Sequence, residues 1–277
     1  MEKDLSSLRI IPSGVWSCGV PGFLPPRTIR AAFALCMSLT HGTVCRFVIF
    51  ATLALISGYG DASEFGAIAS FTTNYFYRGY SKSGNRPALR GNVDYEHDSG
   101  LYAGSWLSWV DLGDDGFPGH SDIEFYPYLG YSMEVMGDGR LDLAVARYIY
   151  NDKVFGLYSD EYSLAVHFRD SATARFGYAD DAYHRGHAML NYDLSGRYPL
   201  TDALEFSAGL GYNDASAVLE YNSIYWHGGL TWYWNRLALD FRYVDYKHLD
   251  SANPWAPNLL LLEDVNPKFV FSLSIGY

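Results

Sequence analysis

From about residue 65 onward the chain alternates apolar and polar side chains with a period of two, and this limits what it can fold into more than any motif does. In residues 123–135, Ile123, Phe125, Pro127, Leu129, Tyr131, Met133 and Val135 share one face, with Asp122, Glu124, Tyr126, Tyr128, Gly130, Ser132 and Glu134 on the other. Leu204, Phe206, Ala208, Leu210 and Tyr212 oppose Glu205, Ser207, Gly209, Gly211 and Asn213 in the same way. So do Leu237, Leu239, Phe241 and Tyr243 against Arg236, Asp240 and Arg242. The beat runs to the end, where Phe269, Phe271, Leu273, Ile275 and Tyr277 alternate with Val270, Ser272, Ser274 and Gly276. A chain terminus usually frays and is polar, so a clean final strand asks for a partner. No helical face of useful length follows Glu64.

The pattern predicts about twelve strands, at roughly 65–79, 87–97, 100–112, 121–135, 139–150, 160–169, 172–179, 187–195, 203–213, 223–234, 236–247 and 267–277. Links after even strands are mostly tight ("HDSG", "MGDG", "RDSA", "WN"), while those after odd strands are longer and polar ("SKSGNRP", "DDGFPGH", "DDAYHRG"). Tight turns at one end and long loops at the other predict an all-β fold, an antiparallel up-and-down transmembrane β-barrel. A soluble sandwich or lipocalin-like barrel also alternates. Strands of about ten residues, long enough to cross hydrocarbon when tilted, favour the membrane barrel. So do Trp226, Trp232, Trp234, Tyr212, Tyr243 and Tyr277 on the apolar face, where an interfacial girdle would stand. In a closed barrel the last strand pairs with the first, which leaves no edge for lipid to meet.

Upstream, "FVIFATLALISGYG" (residues 47–60) is an apolar run of fourteen, preceded by Arg46 and followed by small residues up to Ala62. A span needs about 20 residues, so the run predicts a secretory signal peptide over residues 37–62, with cleavage near Ala62. Residues 1–36, with Pro12, Pro21, Pro25 and Pro26 and no period, read as an upstream extension before a start at Met37. The barrel then occupies 63–277 and lies in the outer membrane of a Gram-negative bacterium. Cys18, Cys36 and Cys45 all precede it, which leaves it without a disulfide, thiol nucleophile or cysteine metal site. The formal net charge of −11 argues against nucleic acid as a partner.

One stretch carries a resemblance. Thr72, Asn74, Tyr75, Arg78 and Gly79 match a Thr-x-Asn-Tyr-x-x-Arg-Gly strand, and Pro87, Ala88, Leu89 and Gly91 match Pro-Ala-Leu-x-Gly. Tyr102, Ala103, Gly104 and Trp106 match Tyr-Ala-Gly-x-Trp. Residues 72–114 are similar in this way to the opening of the TorF or Gcw_chp family of proteobacterial outer-membrane proteins of unknown function. The resemblance implies an outer-membrane barrel with a supposed channel role and carries over no catalytic or ligand residues. By likeness to outer-membrane barrels generally, Phe269, Phe271, Leu273, Ile275 and Tyr277 resemble the signal that the barrel-insertion machinery reads.

Twelve strands stand between eight, which side chains can fill, and sixteen, which enclose a wide aqueous channel. A narrow open lumen is therefore expected. Its lining candidates are Arg78, Arg90, Asp94, Glu96, Asp122, Glu124, Asp142, Glu161, His167, Arg169, Arg175, Glu205, Asp240 and Arg242. Charges of both signs could form a selectivity lining or salt bridges that stiffen and plug the interior. Arg147 falls on the apolar face, so either a bulge turns it inward or it lies at the outer rim, within reach of lipopolysaccharide phosphates. Ser163 and His167 share a face four residues apart, roughly 13 Å along a strand, too far for a nucleophile–base pair. No catalytic residue, metal site or cofactor is expected. The sequence points to passive diffusion of small hydrophilic solutes through an outer-membrane, porin-like barrel. The alternatives are a non-conducting structural or surface-interaction barrel and, further off, a membrane-embedded enzyme.

Overall fold

The computed structural model describes residues 63–112, 121–135, 137–151, 156–169, 171–251, 263, 264, 266 and 268–276. The expected extension, signal peptide and C-terminal Tyr277 lie outside them.

The strands, in chain order, are β1 (Ser63–Thr72), β2 (Phe76–Tyr77), β3 (Tyr80–Ser81), β4 (Ala88–His97), β5 (Leu101–Leu112), β6 (Ser121–Val135) and β7 (Gly139–Tyr150). They continue with β8 (Tyr158–Phe168), β9 (Ala172–Ala179), β10 (Met189–Pro199), β11 (Leu204–Asp214), β12 (Tyr221–Trp234), β13 (Leu237–Ser251), β14 (Glu263–Asp264) and β15 (Phe269–Gly276). Twelve of them close one antiparallel up-and-down barrel, in the order β1-β15-β13-β12-β11-β10-β9-β8-β7-β6-β5-β4. The seam joins the first strand to the last, from Ile68 opposite Gly276 to Thr72 opposite Ser272. This is the partner that the C-terminal pattern asked for.

Every strand keeps the two-residue beat because one face meets apolar surroundings and the other a polar interior. In β15, Phe269, Phe271, Leu273 and Ile275 face outward and exposed, while Val270, Ser272 and Ser274 are buried inside. Leu129, Leu194 and Leu210 present 53–59% of their surface outward. A soluble protein would bury such side chains, whereas a hydrocarbon layer accepts them without cost. Links 98–100, 200–203 and 235–236 are short and gather at one end. Links 73–87, 180–188 and 215–220, which are longer, join strands at the other.

Arg147 keeps strict alternation and points outward. It stands opposite Asp160 in an unbroken β7–β8 register, three residues from the long-loop end of β7. Its guanidinium pairs with the Asp160 carboxylate, so the rim position holds and no bulge turns it in.

The interior is aromatic rather than aliphatic. Tyr75, Tyr77, Tyr80, Tyr126, Tyr128, Tyr148, Tyr150, Tyr183 and Tyr225 are all buried there. Some tyrosine rings lie close over the glycine opposite them in the next strand. Tyr102 stands opposite Gly130 and Tyr225 opposite Gly211. A Cβ at either glycine would collide with the facing ring, so these glycines give the rings room against the wall.

The first strand departs from expectation. It stops at Thr72 rather than running to 79. Residues 76–81 instead form the hairpin β2–β3, with Phe76 opposite Ser81 and Tyr77 opposite Tyr80. Its two-residue tip, Arg78 and Gly79, has φ of 48° and 96°. Two positive φ angles in succession are the signature of a type I′ turn, which matches the twist of a hairpin. With β14 on its other edge, the hairpin makes a three-stranded sheet separate from the barrel wall.

Candidate functional site

The link between β1 and β4 is fifteen residues long, and most of it is inside the barrel. Asn74, Tyr75, Phe76, Tyr77, Arg78, Tyr80, Ser81, Lys82 and Ser83 are all at most 8% exposed. The lumen expected to be open is filled toward the long-loop end by this segment. Asparagine and serine side chains shape it. Ser81 Oγ donates to Asn74 Oδ1 at 2.6 Å, Asn74 Nδ2 donates to Asn85 Oδ1 at 2.9 Å, and the Lys82 amide donates to the Tyr75 carbonyl at 2.8 Å. The segment "TNYFYRGYSKSGNRP" carries three cations and no carboxylate.

Three sides of the wall receive it. Against β12, β13 and β15, Phe76 packs with Tyr225, Val244 and Val270. A Cβ at Gly79 would stand 3.3 Å from Tyr246 Cβ, so only glycine lets the tip come this close with its positive φ. Against β8 and β9, Arg78 makes a two-pronged pair with Glu161, at 2.7 and 2.9 Å, and Arg175 donates to the same carboxylate at 3.1 Å. Against β6 and β7, the Lys82 ammonium pairs with Glu124 and lies 3.1 Å from Tyr150 Oη. Tyr75 Oη donates to Glu124 at 3.0 Å. Buried charges hold only when paired and fully hydrogen-bonded, and here the loop supplies cations to carboxylates of the wall.

A lid closes over Tyr80. Tyr183, in the turn between β9 and β10, takes the left-handed φ of 54°. Its hydroxyl lies 2.5 Å from that of Tyr80 and its ring stacks on Tyr150 at 5.8 Å. Asp181 ties this turn. It accepts the Gly186 amide at 2.6 Å and meets His184 Nδ1 at 2.9 Å, and these bonds hold its carboxyl below the usual aspartate range.

Beneath the loop, toward the tight-turn end, a small void of about 30 Å³ is lined by residues including Ser70, Thr72, Arg90, Asp240, Arg242 and Ser272. Arg242 bonds Asp240 at 2.9 Å, Ser207 at 2.8 Å and His227 Nδ1 at 2.6 Å.

Of the sequence candidates, Arg90, Glu124, Asp142, Glu161, His167, Arg175 and Asp240 are buried on the inner face of wall strands. Asp94, Glu96, Glu205 and Arg242 are half-buried on that face. Arg78 is buried too, but on the hairpin tip. Asp122 is exposed near the start of β6. Arg169 lies in the β8–β9 turn with its side chain 67% exposed, paired with Asp138 at 2.7 Å. The structure brings Arg78, Glu124, Glu161, Arg175 and Arg90 around one loop, while Asp240 and Arg242 belong to the cavity below. Asp142 accepts from Tyr102 at 2.9 Å, and His167 Nδ1 lies 2.9 Å from Thr173 Oγ1. Sequence reasoning missed Lys82, Asp193 and His227. Asp193 accepts from the Tyr225 hydroxyl. Strict alternation along β10 and β12 puts Asp193 and His227 inside. No local signal marks Lys82.

Among solved structures the chain is similar to the KdgM porin, with a TM-score of 0.44 and 8% identity over 78% of this chain and 98% of that one. An outer-membrane channel from Pseudomonas putida F1 gives 0.45 and 13% over 79% and 96%, and the NanC porin 0.42 and 9% over 77% and 98%. Likenesses this distant carry nothing about function. No curated protein matches the chain. The resemblance seen over residues 72–114 extends across nearly the whole barrel: residues 59–274 match the Gcw_chp model, described as a bacterial protein of unknown function, and the chain belongs to that family.

Proposed function

We propose that the protein is an outer-membrane channel for small hydrophilic solutes, closed in this state by its own first long loop. The observation that carries the reading is the nature of the closure. The lumen is filled by a separate, polar, cationic segment docked through Arg78–Glu161 and Lys82–Glu124, rather than by wall side chains meeting across the axis. A barrel with only a structural task has no need of that device. Tyr102 and Tyr225, held close over Gly130 and Gly211, are consistent with a bore that the loop occupies. The apolar outer face suits a bilayer, the exposed Arg147–Asp160 pair suits a headgroup region facing lipopolysaccharide, and β15 suits the barrel-insertion machinery. The reading calls for no cofactor and no catalysis.

The test is conductance in a planar bilayer, comparing the full barrel with a variant in which residues 75–83 are replaced by a short Gly-Ser linker. The expected result is small or intermittent steps for the parent and larger, sustained steps for the variant. Silence from both overturns the channel and leaves a closed structural or surface-interaction barrel, the reading that the tight burial of the loop favours.

A further inference from the structure

The Lys82 ammonium sits in a cage. Its Nζ lies 3.9 Å from the centroid of the Tyr77 ring, 4.6 Å from Tyr148, and 5.6 Å from both Tyr75 and Tyr150. Glu124 closes the cage with a carboxylate, itself held by the hydroxyls of Tyr75 at 3.0 Å and Tyr150 at 2.8 Å. Lys82 is fully buried and Glu124 1% exposed. A ring face attracts a cation most when both are out of water. Aromatic walls with one carboxylate are the chemistry by which proteins take up organic ammonium ions.

Half of the cage does not belong to the loop. Glu124, Tyr148 and Tyr150 stand on β6 and β7, part of the rigid wall. When Lys82 leaves, Glu124, Tyr148 and Tyr150 remain as an acidic, aromatic surface of the wall. The structure thus displays the site filled by a ligand tethered to the chain itself.

We propose that Glu124, Tyr148 and Tyr150 form a binding site for small organic ammonium solutes, which Lys82 occupies as a built-in surrogate, so that such solutes compete with the loop. This deepens the channel reading, on which it rests for its physiological meaning, by naming the class of solute; the binding itself needs no conduction and is measured in detergent. Arginine-type cations fit less well, because a planar guanidinium is wider than the ammonium now held. Anions face Glu124 and are excluded.

The test uses the full barrel refolded in detergent. In Lys82→Ala, n-butylammonium should bind and raise the melting temperature in a saturable way, while 1-butanol at equal concentration should not. Lys82→Ala combined with Glu124→Gln should bind n-butylammonium at least about tenfold more weakly, since a buried charge partner is gone. Equal responses to butylammonium and butanol, or equal affinity in the double variant, overturn the proposal. If Lys82→Ala does not fold, the parent protein decides. Lys82 should resist amine-reactive labelling relative to Lys268, and tetramethylammonium should raise its labelling several-fold, whereas sodium at the same ionic strength should not. No change with tetramethylammonium overturns the competition. Failure of conductance with this binding intact would remove the channel and keep the site.

Discussion

Arg78, at the tip of an internal hairpin, grips both carboxylate oxygens of Glu161 on the wall at 2.7 and 2.9 Å, although 83 residues separate them in the chain. Arg175 shares that carboxylate, which makes the triad asymmetric. Removing Arg78 leaves Glu161 with a cation; removing Glu161 leaves two buried guanidinium groups facing each other. Glu161→Ala should therefore destabilise by about 3–5 kcal/mol, the cost of an uncompensated buried charge, and Arg78→Ala by less. Urea unfolding of the refolded barrel gives the order, and limited proteolysis at residues 73–87 should speed up in both variants. The reverse order would mean that Arg175 does not share the load.

Gly211 accepts the ring of Tyr225, and a Cβ there has no room. Gly211→Val should cost about 1–3 kcal/mol as an overpacked contact, and Tyr225→Ala in the same chain should restore part of it. Heat-modifiable migration of the folded barrel in gels would register both changes. A Gly211→Val barrel as stable as the parent would mean that the ring has another place to lie.

The outer face should be graded by depth. Leu129, in the middle of β6, is 54% exposed, and Leu129→Arg should cost about 2–4 kcal/mol if it meets the hydrocarbon midplane. Arg147 already stands near the long-loop end, and Arg147→Leu should change stability by no more than about 1 kcal/mol, the usual worth of an exposed ion pair. Folding into lipid vesicles under urea measures both. Equal tolerance at the two sites would count against a membrane around this face.

The Tyr183 lid should respond to acid. The folded-state pKa of Asp181 is depressed by the Gly186 amide and His184. A depressed carboxylate stabilises the fold above its unfolded value and loses that contribution as pH falls through the folded value. The turn at 180–188 should thus hold at neutral pH and loosen only below about 3.9, the ordinary aspartate value. Asp181→Asn should remove the acid-dependent step in backbone protection of Tyr183 and Gly186. A step that persists in Asp181→Asn would assign it elsewhere.

The wall of this molecule was legible because its physics is local. Leu129 and Tyr128 must face opposite ways in any strand, and the sign of each face follows from its neighbours. Closure was legible from the same beat in Phe269–Ile275. The plug was not. "YFYRGY" continues the apolar, aromatic texture of β1, yet the wall strand stops at Thr72 and the successive positive φ values of Arg78 and Gly79 fold the chain back as an internal hairpin. The polar run around Lys82 reads the same whether it hangs in water or folds inward, because its partners, Glu124 and Tyr150, come from strands 42 and 68 residues away. Arg169 was misread for a smaller reason: alternation carried one residue past the end of β8 placed an exposed turn residue in the lumen.

The loop between β1 and β4 brings two buried positive charges, Arg78 and Lys82, and no negative ones of its own into the bore. An electric potential across the membrane therefore acts on this segment as on a charged piston. Each unit charge crossing the whole field corresponds to about 2.3 kcal/mol per 100 mV, so even partial displacement should make conduction depend on the polarity of the applied voltage. Neutralising Arg78 and Lys82 should flatten that rectification.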